Sequence, residues 1–500
     1  MNAAAPVYLD YAATTPVDER VAAAMAACLG VGGDFGNPSS AHAFGAAAAA
    51  RTEHARAQVA ALLNAAAEEI VFTSGATESN NLAILGCARA GAARGRHVVS
   101  ARTEHKSVLD VCRHLEKEGF SVSYLVPGPT ARIEPQALAA ALRPDTVLVS
   151  LMGANNETGV LEDLAGISAV CRERGVPVHS DCAQAAGKVA LDVHALGVDF
   201  VSLTAHKLYG PKGIGALYVR RGARGLLQPL TYGGGQERGL RPGTLPTHQI
   251  AGFGLACELA AAALAHEGPH LERLRERLWA GLAGLPGTLL NGAGAPRVPG
   301  ILNVSFEAVE GESLIAGLTG LAVSTGAACS SDSGDPSYVL RALGRDTQLA
   351  QSSLRFSLGR FTSEADIDRA LAQVRAHLMR LRALSPAAEP PGAAGEWPGA
   401  APGDGRLRGE AGGPGRDTWV RFELLTAGDT VKDARFKAFA CPHTMKVAAW
   451  LCGELRGRRR DALLPGTPIE WAAARGVPVE KLGRLLVVED ALRECLLHWG

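Results

Sequence analysis

Between about residues 60 and 260, short apolar runs alternate with amphipathic helical stretches, and this alternation constrains the fold more than any other feature of the chain. Glu69-Ile70-Val71-Phe72 reads as a strand, followed by Thr73-Ser74-Gly75 and a helical stretch from Ala76. His97-Val98-Val99-Ser100, Val147-Leu148-Val149-Ser150 and Phe200-Val201-Ser202-Leu203 repeat the pattern. Two neighbouring parallel strands need a long crossover, usually a helix, to join them. Strands separated by helices therefore predict an α/β fold built on a parallel sheet.

The pattern changes after residue 260. A helix from His270 to Leu282, the run Ile301–Phe306 and a helix from Ser363 to about Ala383 suggest a smaller α+β unit over 261–385. It would complete, with a large domain over about 15–260 and the N-terminal segment, a first unit spanning 1–385. Residues 386–416 are dense in Pro, Gly and Ala without apolar periodicity and read as a flexible linker. Order signals return over 417–500: Val420–Leu424 and Ala434–Phe439 alternate as strands, and a helical pattern starts at Thr444.

Lys plus Arg and Asp plus Glu both number 50, which argues against nucleic acid or an anionic membrane as the main partner. No uninterrupted apolar run reaches the length of a spanning helix. The first residues lack a basic stretch followed by an apolar core, and the 10 cysteines lack disulfide-scaffold spacing, so a reducing, cytoplasmic setting is expected.

The chemistry concentrates around Ser202-Leu203-Thr204-Ala205-His206-Lys207, where a lysine follows a strand and precedes a Gly-rich turn. Such a lysine could form a Schiff base, although a lone lysine in a loop is more often a solvated surface residue. Three more segments shift that balance. Asp181 follows an apolar run, where a carboxylate can pair with a protonated pyridine nitrogen. Ser74-Gly75-Ala76-Thr77 marks a strand-to-helix turn whose N–H groups suit a phosphate. His105 follows another strand, where an imidazole could stack on a ring.

These segments, with Tyr8–Pro16, Gly36–Ser40, Phe72–Asn81, Asn155–Gly159, Gly233–Gly239 and Arg355–Arg360, resemble the class V aminotransferase-like enzymes that use pyridoxal 5'-phosphate (PLP), specifically the NifS/IscS cysteine desulfurases. The resemblance covers about residues 7–385. It implies the type I fold of PLP-dependent transferases, with a large parallel or mixed sheet domain and a small α+β domain. It also implies a homodimer. By the same resemblance Lys207 would carry the cofactor and move the proton, Asp181 would hold the pyridine nitrogen and Gln184 the ring oxygen, and His105 would stack on the ring. Ala76, Thr77, Thr204 and His206 would hold the phosphate, with Thr244 reaching the partner subunit's cofactor. Asn155, also near the cofactor, and Arg355 would bind the substrate carboxylate, for which a guanidinium fork is suited.

Cys329 lies in a run of small and polar residues, Ser324–Tyr338, that buries little. By itself it could be a free surface cysteine. By the resemblance it is the position that accepts sulfur from L-cysteine as a persulfide, releasing L-alanine and supplying iron–sulfur scaffolds or other acceptors. His105 is the candidate base for its thiol. Selenocysteine lyase, a plain aminotransferase and a non-catalytic carrier are the alternatives.

Residues 416–499 resemble the IscU/NifU iron–sulfur scaffold through Val431–Cys441 and Val488–Leu492, an α+β domain. Of the scaffold's metal ligands, Cys441 and Asp417 have counterparts, whereas Gly415 and Arg484 stand where two cysteines are expected. Metal binding there is thus a weak expectation, and docking the stronger one. The linker as a flexible coil would reach on the order of 30 Å.

Overall fold

The computed structural model describes residues 5–325, 335–385, 397, 400–413 and 417–499. Its centre is a seven-stranded mixed sheet. Its strands are β2 (Ile70–Thr73), β3 (His97–Ala101), β4 (Ser121–Leu125), β5 (Thr146–Ser150), β6 (Val178–Asp181), β7 (Phe200–Thr204) and β8 (Gly215–Val219), in the order β2-β8-β7-β6-β5-β3-β4. Strands β7, β6, β5, β3 and β4 run parallel, and β8 is antiparallel to both β7 and β2. The four strands read from the sequence all lie in this sheet. Most of their side chains are buried on both faces, with Phe72, Phe200 and Tyr218 among the largest, as a sheet covered by helices on both sides requires.

A buried ion pair locks one edge of the sheet. Arg56, on the helix Ala43–Leu62, donates to both carboxylate oxygens of Glu237 at 2.8 Å, and Glu237 also accepts the Phe72 amide. Both side chains are almost fully buried, at 4% and 1% exposure. Glu237 sits in the Gly233–Gly239 segment with a left-handed φ of 48°. The sequence motif is thus partly a structural clamp, tying that turn to β2 and the helix.

A single helix, Thr247–Ala283, runs from the large sheet into the small domain. The boundary placed at 260/261 therefore falls inside a continuous element. By length and composition this helix could cross a membrane. Yet Ile250, Phe253, Cys257, Leu274 and Leu278 are buried within the fold, so it is a core helix. The small domain carries the antiparallel sheet of β9 (Thr288–Leu290), β10 (Ile301–Phe306) and β12 (Ser353–Ser357), while β1 (Val7–Tyr8) pairs in parallel with β11 (Leu321–Ala322).

The C-terminal unit is an antiparallel sheet of β13 (Gly405–Gly413), β14 (Thr418–Ala427) and β15 (Thr430–Phe439), packed against the helices Pro442–Leu455, Pro468–Arg475 and Leu482–Leu497. β13 corrects the linker expectation over 405–413. Its glycines concealed a strand because Gly409 lies directly under the last helix: a Cβ there would meet the Ala491 carbonyl oxygen at 2.2 Å. Trp397, also inside the expected linker, is buried, with the Arg435 guanidinium 4.3 Å from its ring centre. The unit docks on the small-domain helix Gly311–Ala316. Ser313 Oγ donates to the Ala440 carbonyl at 2.8 Å, and Lys481 and Arg484 pair with Glu312.

Removing one member of a buried ion pair leaves an uncompensated buried charge. Arg56→Ala is expected to cost about 3–5 kcal/mol of stability. Urea denaturation of the variant against wild type measures it, and a loss below about 1 kcal/mol would show that Glu237 is not held as described.

Candidate active site

The C-terminal ends of β2, β3, β5, β6 and β7 converge on one cleft, the place where open α/β sheets bind ligands. The cleft encloses about 1550 Å³ with its solvent-filled mouth, and Thr77, His105, Asp181, Gln184, Lys207 and Arg355 all line it. Ala76, Thr204 and His206 line it as well. Sites read from five separate stretches of sequence are thus brought to one place.

Each side chain is positioned by its element. Lys207 ends a short turn, Ala205–Lys207, directly after β7. Asp181 closes β6. Its Oδ2 accepts from Asn80 Nδ2 at 2.8 Å and its Oδ1 from the Ala183 amide at 3.0 Å, so the carboxylate is fixed in orientation. Gly75 precedes the 16-residue helix Ala76–Gly91 with φ 152° and no side-chain cap, which leaves the first N–H groups of the helix facing the cleft. Gly215 makes this turn possible, since a Cβ on it would lie 2.6 Å from the Gly75 Cα.

His105 caps the helix Lys106–Lys117, its Nδ1 accepting the Ser107 amide at 3.2 Å. Burial lowers its pKa, partly countered by Asp181. With Nδ1 an acceptor, the proton of the neutral ring lies on Nε2. Burial and the nearby Lys207 likewise hold His206 neutral, with a pKa of about 4.

Asn155 is not among the residues that line the cleft in this structure; its Oδ1 accepts from the amides of Glu157 and Thr158, and its Nδ2 donates to the Thr103 carbonyl. The neighbouring Asn156 lines the cleft instead, and its Oδ1 is buried without a hydrogen-bond partner. Arg355 faces the cleft but is already engaged, with Nη2 on Asp10 at 2.8 Å and Nη1 on the Asn156 carbonyl at 2.9 Å. A substrate carboxylate would have to share it with Asp10. Thr244 is exposed and outside the cleft. Cys329 lies outside the described residues.

The sequence reading missed two acids. Glu104 is fully buried beside the cleft, and burial raises its pKa well above the ordinary carboxyl range. Glu157 lines the cleft, and burial raises its pKa to about 7. Ser337 donates to Glu157 and caps the helix Tyr338–Ala342, so this acid anchors the chain just beyond the Cys329 segment. Glu157 lies within the Asn155–Gly159 stretch and Glu104 next to His105, but neither stretch marks the acid itself as functional.

In the C-terminal unit Cys441 is buried at the start of the helix Pro442–Leu455, its Sγ 3.3 Å from Thr444 Oγ1, and Arg484 lies close to it. Asp417 precedes β14 with φ 59°. No group of three or more His, Cys, Asp or Glu suited to a metal ion occurs among the described residues.

An enclosed β/α cleft with a lysine, a fixed aspartate, a ring-sized imidazole and a helix N-terminus is the arrangement of a PLP-dependent enzyme of the type I fold. A family model described as Aminotransferase class-V matches residues 7–370, and the chain belongs to this family, whose members use PLP. It is 55% identical over 382 residues to the cysteine desulfurase IscS of Aeromonas salmonicida, covering 76% of this chain and 95% of that protein. Among solved structures, a NifS-like protein is 35% identical with a TM-score of 0.70, covering 75% of this chain and all (100%) of that one. SspA in complex with cysteine is 37% identical with a TM-score of 0.64, covering 71% and 99%.

The pH dependence follows from Glu157. Its folded pKa of about 7 lies above its ordinary 4.5. The folded state therefore binds the proton more tightly, and stability falls as pH rises from 4.5 towards 7. Glu157→Gln removes this penalty. Denaturation at pH 5 and pH 8 should show the variant gaining on wild type at the higher pH, by up to about 3 kcal/mol. An equal difference at both pH values would mean that Glu157 stays ionised.

Proposed function

We propose that the protein is a cysteine desulfurase that takes sulfur from L-cysteine as a persulfide on Cys329 and releases L-alanine. The observation that carries this reading is the convergence of Lys207, Asp181, His105 and the Gly75–Thr77 turn on one cleft, in a chain that aligns with nearly the full length of a cysteine desulfurase.

The residues present fit the cofactor. Lys207 would hold it covalently and Asp181 would face its pyridine nitrogen. Gln184 would face its ring oxygen. Ala76, Thr77, Thr204 and His206 would take the phosphate at the helix N-terminus, where unpaired N–H groups and the helix dipole favour an anion. The unpartnered Asn156 Oδ1 is a buried polar atom that a bound molecule would satisfy. When bound, PLP supplies an electron sink that labilises bonds at the substrate's α and β carbons.

The chain's own residues do the rest. Arg355 binds the substrate carboxylate while keeping Asp10. His105 stacks on the ring and offers its Nε2 proton; to serve as base for the Cys329 thiol it would have to release the Ser107 amide. The Cys329 thiolate attacks the substrate sulfur, the sulfur–Cβ bond breaks, and its electron pair takes up a proton as alanine forms. The net exchange is cysteine plus thiol to alanine plus persulfide. Thr244, exposed outside the cleft, suits contact with a second subunit's cofactor in a homodimer. The nine described cysteines are all free thiols, which fits the cytoplasm.

The C-terminal unit is read as an IscU/NifU-like domain that has lost its cluster. Arg484, at the position of an expected cysteine, lies against Cys441. The guanidinium thus fills the place of a ligand, and the unit serves to dock or to receive sulfur rather than to hold metal. Iron–sulfur scaffolds or other sulfur acceptors are the downstream partners.

Cys329→Ser should keep the visible absorbance of the lysine-bound cofactor yet form no sulfide from cysteine. Mass spectrometry of the wild-type enzyme after brief exposure to cysteine should find one extra sulfur on the Cys329 peptide. Extra sulfur confined to Cys182 or Cys441 would refute the assignment.

A further inference from the structure

Gln184 follows β6 and lines the cleft, while Lys188 lines a separate, more enclosed cavity that shares Ala12 and Lys207 with the cleft. One hydrogen bond crosses the wall between the two spaces, from Lys188 Nζ to Gln184 Oε1 at 2.7 Å. The other end of the carboxamide is also held, for Nε2 donates to the Ala12 carbonyl at 2.8 Å. Lys188 has no carboxylate within ion-pair distance among the described residues, so a buried-facing lysine spends its hydrogen bond on a neutral amide.

The chemistry of these partners fixes which way the amide faces. An ammonium has hydrogens to give and nothing to accept with, and a carbonyl is the reverse. A flipped Gln184 would set Nε2 against Nζ and Oε1 against the Ala12 oxygen, two repulsive contacts in place of two bonds. In the observed orientation Nε2 uses one hydrogen on Ala12, and its second remains for an acceptor in the cleft. Burial, aided by Lys207, lowers the Lys188 pKa to about 7; the neutral amine still offers hydrogens to Oε1, and the Ala12 carbonyl, which can only accept, still selects Nε2 on its side.

We propose that Lys188 is a positioning residue for the reaction: it locks the Gln184 carboxamide so that an Nε2 hydrogen points at the cofactor's ring oxygen. This rests on the reading of Gln184 as the partner of that oxygen. A donor on the ring oxygen withdraws electron density from the conjugated nitrogen that Lys207 contributes, and so lowers that nitrogen's proton affinity. Losing the donor raises it.

The test is a pH titration of the visible absorption band in the PLP-loaded, full-length protein. Lys188→Met should shift the apparent pKa of the band upward by about one unit, the size expected for losing a hydrogen bond to a charged oxygen. Lys188→Gln, which keeps an N–H donor without a charge, should stay near wild type and provides the measurement should Lys188→Met not fold. In a Gln184→Ala background, Lys188→Met should add little, because its effect runs through Gln184. An unshifted Lys188→Met titration would overturn the proposal. So would an equal shift with or without Gln184, or a Lys188→Gln titration displaced as far as that of Lys188→Met, since either result means that the charge acts directly. Failure of wild type to form a lysine-bound cofactor band at all would instead refute the PLP site itself.

Discussion

The cleft depends on one buried guanidinium. Arg355 sits in β12 with its side chain only 3% exposed. Through Nη2 it holds Asp10 of the N-terminal segment, and through Nη1 the Asn156 carbonyl of the large domain. Its backbone pairs with Asn303 in β10 and exchanges hydrogen bonds with Ser324, at the near edge of the Cys329 segment. Four pieces of chain distant in sequence therefore take their register from one residue. Such a pair is weak evidence for stability, because desolvating both charges offsets their attraction. Its value is in specifying position, and here it fixes the small domain and the N-terminal strand against the mouth of the cleft.

Around that junction the protein buries more acid than it neutralises. Glu157 lines the cleft and Glu104 is buried beside it, and burial pushes each towards the protonated form. Asp181 is treated differently, receiving one amide from Asn80 and one from the backbone. Neighbouring carboxyl groups with such different surroundings can divide their tasks. Glu157 carries structure, through Ser337, and the Asp181 carboxylate is fixed in orientation at the cleft. Glu104 accepts the Met152 amide through Oε1, which ties the end of β5 to the turn before His105.

The sequence made the large sheet legible because its strands are buried on both faces and so read as plain apolar runs. The residues at their ends were legible because a strand end followed by a helix start places a side chain in a crevice whatever the packing elsewhere. Choosing between Asn155 and Asn156 was beyond the pattern: two identical residues stand side by side, and only the turn closed by the Glu157 and Thr158 amides decides which one faces inward. The strand Gly405–Gly413 escaped for a different reason. Its glycines answer to a helix pressed onto the sheet, a tertiary contact without local signature, and glycine density normally argues against a strand. The role of Glu237 was hidden likewise, since its partner Arg56 lies far away in sequence.

The docking of the C-terminal unit changes how it must be thought of. A free tether would act by effective concentration alone, but with β13 inside the sheet, the stretch between the domains is much shorter than composition suggested. The unit rests on the helix Gly311–Ala316, which leads through Leu321–Ala322 to Ser324 and the Cys329 segment. It is therefore held by the stretch of chain that leads into the Cys329 segment. Cys441, next to Ala440 on the docking side, is fully buried at 0% exposure. The ion pairs at the docking contact are partly exposed, Lys481 at 23% and Glu312 at 39%. Pairs of that kind contribute about 0–1 kcal/mol each and weaken with salt. The named polar contacts thus set the orientation of the unit more than they hold it in place.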